Sequence, residues 1–136
     1  SVYNKDGSSE YFLEHIESVC KIIIRLKKHY KNINFDLVLT ACMTYKIGLI
    51  HKKIRTSYLS LNYLSWELIQ IEIKKIQNFQ NSLSLMLKDI ILNLDNEDKI
   101  KKIKSKEALI SYYICCLDQN LIFYNKYLIN DIIKNK

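Results

Sequence analysis

The 136-residue chain contains no proline and only two glycines, Gly7 and Gly48. That scarcity narrows the possible folds more than any other feature. A many-stranded β fold needs frequent tight turns, and glycine and proline are the residues that make them. Here the breaks between elements must come from Asn, Asp and Ser, which suits a few helices joined by short polar connections. With 49% hydrophobic residues the chain can build one real core, and its length fits one domain. No run approaches the roughly 20 apolar residues that a membrane-spanning helix needs, so no membrane insertion is expected. The opening SVYNKDGSS lacks a charged stretch followed by an apolar one, so no secretion signal is expected either.

Taken in order, residues 1–8 read as a flexible, polar N-terminal arm and residues 9–136 as a single helical domain. A first helix starts near Ser8 or Ser9, with Phe12, Ile16, Val19, Ile23, Leu26 and Tyr30 recurring at spacings of three and four. Asn34 and Asp36 mark the cap of a second helix from about Phe35 to Ile50, apolar around much of its circumference. The segment HKKIRTSYLSLNY has no clean period and reads as a basic connection. Ser65 is expected to cap a third helix from Trp66 to about Asn78, with Trp66, Ile69, Ile73 and Ile76 as its stripe. Ser82 is expected to cap a fourth, carrying Leu83, Met86, Leu87, Ile90 and Leu94. A fifth begins near Asp98, with Ile100, Ile103, Ile110, Ile114 and Leu117 on one face and five lysines off it. Asp118-Gln119-Asn120 then reads as a polar break before a sixth helical segment carrying Leu121, Tyr124, Leu128 and Ile132. The expected fold class is therefore all-α, a compact bundle of five to six helices.

The formal net charge of +7 invites a nucleic-acid reading, because clustered lysine and arginine neutralise phosphates. No nucleic-acid-binding motif accompanies those lysines, however, and they travel with many Asn, Ile and Tyr residues, a bias that codon composition alone can produce. A solvated basic surface is the better expectation. Cys20, Cys42, Cys115 and Cys116 sit inside apolar helical patterns without metal-ligand spacing. They read as reduced core thiols of an intracellular protein, nuclear or cytoplasmic.

Catalysis needs convergent groups, and few candidates are visible. His15 and His29 stand four helical turns apart, so they cannot share a metal. Glycine-rich phosphate loops and suggestive carboxylate pairs are absent. A Cys–His nucleophile–base pair would meet only in the fold and has no local signature. No catalytic residue, metal ligand or cofactor is expected, and the chain reads as a non-enzyme.

One enzyme-like pattern remains. His15, then Ala41-Cys42-Met43-Thr44-Tyr45-Lys46-Ile47-Gly48, then Asp118 resembles the order in HD-type phosphohydrolases, whose metal site uses a His, an adjacent His-Asp pair before Ile-Gly, and a late Asp. Tyr45 and Lys46 would occupy the His-Asp positions. Tyrosine is a poor substitute and lysine would repel the metal, so this alternative implies a degenerate domain without its metal site.

A second resemblance covers more of the chain. LDQNLIFYNKYL (Leu117 to Leu128) resembles the end of the fourth helix and start of the fifth in a cyclin box, a region of the form Leu-x-Phe-x-Leu-x-Val-x-x-Pro. Leu117 and Leu121 fit the two leucines, while Gln119 and Lys126 replace the Phe and Pro. TACMTYKIGLIHKK (Thr40 to Lys53) resembles the cyclin second helix and SWELIQIEIKKIQN (Ser65 to Asn78) the third, with Lys75 in the place of the family's lysine. The glutamate that accompanies that lysine falls on Ile110, with Glu107 almost one turn earlier. The resemblance implies a non-catalytic, cyclin-box-like interaction module that binds and activates or positions a cyclin-dependent-type protein kinase. Lys75, Ile76, Ile114, Gln119 and Leu121 would lie on the binding face. An unrelated helical adaptor or scaffold is the third reading. Topology separates the first two. Five helices with the third threaded through the centre of the others mark the cyclin box, whereas a cavity lined by His15, Lys46 and Asp118 marks the HD arrangement.

Overall fold

The computed structural model describes residues 9–50, 60–94 and 103–136. Among these, the chain forms five α-helices and one 3₁₀ turn and no strand, in agreement with the all-α expectation. The expected arm at 1–8, most of the basic connection and the lysine run at 99–102 lie outside the described residues.

The first helix, α1, spans Ser9–His29. Phe12, Val19 and Ile23 are buried, as their spacing predicts, and His15 is buried among them without any exposure. The second, α2, spans Phe35–Thr44, its first turn capped by the Asn34 side chain, which accepts the Leu37 N–H at 3.1 Å. It ends six residues earlier than expected. Tyr45 and Lys46 form a turn, and a 3₁₀ turn follows over Ile47–Ile50. The third, α3, spans Leu61–Lys75, and its cap is Ser60, not Ser65. Ser65 instead lies inside the helix, fully buried, and accepts a hydrogen bond from the Gly48 N–H at 2.9 Å. The fourth, α4, spans Asn81–Asn93 from a Gln80 cap position that makes no side-chain cap bond, so Ser82 is a first-turn residue and not the cap.

The fifth helix, α5, spans Lys106–Lys134 and starts eight residues later than expected, where Ser105 accepts the Ala108 N–H. It also overturns the sequence-based break at Asp118-Gln119-Asn120. The helix runs unbroken through the whole of Leu117 to Leu128. Nothing in the segment stops it, since it holds neither proline nor glycine. The physical reason for the three polar residues lies in their partners.

At the middle of the bundle is α2, which packs against α1, α4 and α5, while α3 packs chiefly against α4 and the 3₁₀ turn. Phe35, Leu37, Val38, Ala41 and Cys42 are all buried along α2. Val19, Val38, Ile90 and Ile91 are almost completely enclosed, and each such side chain contributes about 1.5–3 kcal/mol from its removal from water. Glu107, buried at the start of α5, accepts the Asn34 N–H at 3.0 Å and so joins the N-termini of α5 and α2. Asparagine does the work that glycine does elsewhere: Asn32 after α1 and Asn78 after α3 both take φ of 61°, the left-handed turn conformation.

Among the described residues, Gly48 is a glycine whose missing side chain the packing needs. A Cβ there would stand 3.1 Å from both the Leu61 carbonyl oxygen and the Ser65 Oγ. The 3₁₀ turn sits that close so that its Gly48 N–H can reach Ser65. Gly48→Ala is therefore expected to push α3 away and to cost about 1–3 kcal/mol. Thermal unfolding followed by circular dichroism should show a midpoint lowered by several degrees, and an unchanged midpoint would show that α3 yields freely.

Candidate functional site

Three residues far apart in sequence meet in the core. His15 comes from the second turn of α1, Tyr45 from the end of α2 and Asp118 from the middle of α5. The His15 Nδ1 lies 2.6 Å from Asp118 Oδ2, and its Nε2 lies 2.7 Å from the Tyr45 hydroxyl. Gln119 completes the chain by donating from Nε2 to the Tyr45 hydroxyl at 2.6 Å. Ser18, one turn after His15 on the same face of α1, donates to Asp118 Oδ1. His15 and Tyr45 are fully buried, and Asp118 nearly so.

The donors and acceptors fit one protonation state. Burial pushes His15 below its ordinary 6.5, and the Lys46 ammonium pushes the same way; the Asp118 hydrogen bond and charge oppose them without prevailing. A neutral His15 donates from Nδ1–H to Asp118 and accepts from the Tyr45 O–H at Nε2. The tyrosine oxygen then receives the Gln119 N–H. Each group is satisfied, as groups removed from water must be. Lys46 is also buried, its ammonium 5.4 Å from the centre of the Tyr45 ring.

This arrangement has the connectivity of a hydrolase triad, hydroxyl to imidazole to carboxylate, but not its access. The hydroxyl is sealed and already bonded on both sides, so no substrate atom can approach it. A metal fits no better. Both ring nitrogens of His15 are engaged within the protein, the neighbouring positions are a phenol and an ammonium, and no group of three or more His, Cys, Asp or Glu side chains among the described residues could hold an ion. Cys42 and Cys115 do not supply a nucleophile either. Cys42 and Cys115 face each other across α2 and α5 with their sulfurs 3.6 Å apart. The Cys42 hydrogen bond, together with burial, holds the Cys115 thiol well above its ordinary range and so protonated.

The residues expected on a kinase-binding face differ in exposure and in partners. Lys75 and Ile76 are exposed at the end of α3, and Lys75 is ion-paired with Glu72 at 2.7 Å. Ile114 is buried in the core, Gln119 is turned inward to Tyr45, and Leu121 is exposed on α5. Glu107 is bonded to the α2 backbone, so it does not serve as partner to Lys75. Of the HD pattern, His15 and Asp118 touch directly and Lys46 lies buried beside Tyr45. Ser18 and Gln119 are the members whose roles the sequence concealed. Their only signal is position, one helical turn from His15 and adjacent to Asp118.

Two outcomes follow. Removing the carboxylate in Asp118→Ala strands the His15 Nδ1–H and the Ser18 hydroxyl in the core, with an expected loss of about 2–4 kcal/mol in denaturant unfolding. The pH dependence comes from His15, whose folded-state value lies below its unfolded 6.5. Below 6.5 the unfolded chain takes up a proton that the folded chain resists, so stability falls as pH drops through that value toward the folded one. A His15→Gln variant should flatten the slope there in unfolding midpoints measured from pH 7.5 to 5.

Compared with known proteins, the chain matches no family model, no curated protein and no solved structure.

Proposed function

We propose that the chain is a degenerate HD-type helical domain in which a closed hydrogen-bond network replaces the metal site, and that it acts as a non-catalytic protein-interaction module. One observation carries this reading: His15, Tyr45 and Asp118, which the resemblance aligns with three metal-ligand positions, converge within hydrogen-bond distance. Tyr45 and Asp118 lie 30 and 103 residues from His15, so their meeting is a tertiary contact and not a local one. The substitutions explain the loss of chemistry. Where two metal ligands would stand, Tyr45 gives a neutral donor and Lys46 brings its own positive charge.

The reading stands ahead of a cyclin-type kinase regulator for two reasons. The central helix is α2 and not α3, and the segment that suggested a boundary between two cyclin helices is one continuous helix. The Lys75, Ile76, Ile114, Gln119 and Leu121 set is also divided between buried and exposed positions.

Restoring the ligands tests the proposal. The native chain is expected to bind no Mn²⁺ in calorimetry and to release no phosphate from nucleotides. The double substitution Tyr45→His with Lys46→Asp should bind one divalent ion per chain, shown by calorimetry and by a rise in unfolding temperature on adding Mn²⁺. His15→Ala in that background should abolish both. Hydrolysis by the native chain would overturn the non-catalytic reading, and a folded double variant indifferent to metal would overturn the HD assignment.

A further inference from the structure

The face of α5 turned away from the bundle is apolar over most of its length. Tyr113, Leu117, Leu121, Tyr124, Leu128 and Ile132 follow one another at spacings of four, four, three, four and four. At 3.6 residues per turn they fall within an arc of about 100° and extend for about 29 Å along the helix. All six are exposed, Leu117 at 57%, Leu121 at 52% and Tyr124 at 59%. On the inner side, Asp118 reaches His15, and Lys126 pairs with Glu14 of α1 at 3.7 Å. These two are the only charged residues between Glu107 and Asp131, and both are directed at α1. In a chain carrying 26% charged residues, the outer stripe carries none.

Such a surface does not suit a nucleic acid or an acidic partner, which needs cations where the contact is made. It suits another apolar helix. We propose that α5 pairs antiparallel with α5 of a second copy of this chain, burying the stripe in a two-fold symmetric dimer. The spacing is self-complementary. About an axis between Ile122 and Phe123, Leu121 faces Tyr124 of the second copy, Leu117 faces Leu128 and Tyr113 faces Ile132, so each large side chain meets another. A two-fold interface requires that symmetry of a single patch. The area suffices as well: six half-exposed large side chains offer about 600 Å² per copy, so a pair buries about 1,200 Å², the lower bound for specific interfaces. Tyr127, also exposed, flanks the stripe and enlarges it. This inference is independent of the proposed function, because none of the six residues takes part in the His15–Tyr45–Asp118 network.

Sedimentation equilibrium and light scattering on the whole chain test it. A dimer of twice 16.2 kDa is expected, and Leu121→Lys should weaken it by at least about tenfold, as charges at the centre of an apolar contact do. Leu121 is exposed, so that variant should keep the native circular dichroism and melting of the monomer. Leu13→Lys, an equally exposed site on α1, should leave the dimer intact. Register is read by crosslinking in a background with Cys20→Ser and Cys116→Ser. Tyr113→Cys mixed with Ile132→Cys should crosslink, and neither should crosslink to itself. A monomer at concentrations up to about 100 μM, a dimer insensitive to Leu121→Lys, or self-crosslinking of Tyr113→Cys would each overturn the proposal.

Discussion

The contact between His15 and Asp118 organises this bundle. It joins α1 to α5 over 103 residues of sequence, and through Tyr45 it fixes the end of α2 between them. A buried imidazole and a buried carboxylate are each costly alone, so the packing that encloses one requires the other. The network therefore specifies a register more than it adds net stability. Sliding α5 by one residue would carry Asp118 about 100° around the helix, leaving His15 unpaired. Apolar contacts between Ile and Leu side chains tolerate such slips far better.

The charges within the network are balanced by position. Asp118 brings a negative charge, His15 stays neutral because burial prevails over the carboxylate, and Lys46 supplies a positive charge beside the Tyr45 ring. A divalent ion in such a place would instead need lone pairs from each of these groups. The lysine occupies the electrostatic role of a cation while being covalently attached, and the phenol caps the imidazole nitrogen that a metal would take. Tyr45 and Lys46 thus contribute to a closed network that the surrounding helices enclose.

Much of the fold could be read from apolar spacing. The stripes of α1 and α4, the Asn34 cap and the burial of α2 all follow from residue types at helical intervals. The helix starts were harder. Ser65 looks like a cap because serine is a cap residue, yet it is used to receive the Gly48 N–H, a contact set by tertiary packing that local pattern does not encode. Ser60 and Ser105 do the capping instead. In the site, His15, Lys46 and Asp118 were legible through their order in the chain. Ser18 and Gln119 were not, because a polar side chain one turn from a histidine or beside an aspartate looks the same whether it faces water or the core.

The misplaced break at Asp118 to Asn120 shows why polarity alone is a weak signal in such a chain. A polar triplet ends a helix only if something competes for the backbone, such as a proline, a glycine or a side chain that caps a new start. None is present between Lys106 and Lys134, and the apolar period is kept on both sides of the triplet. Asp118 and Gln119 are polar because they answer His15 and Tyr45 from within the helix, and Asn120 is exposed to solvent. An uninterrupted helix also accounts for both apolar faces of α5. Its inner face packs on α2 and α1 through Ile114 and Cys115, while Leu117, Leu121 and Tyr124 continue at the same period on the outside. A break would have let those outer residues fold back onto the core. Held straight by the polar pair at its centre, the helix has to present them outward.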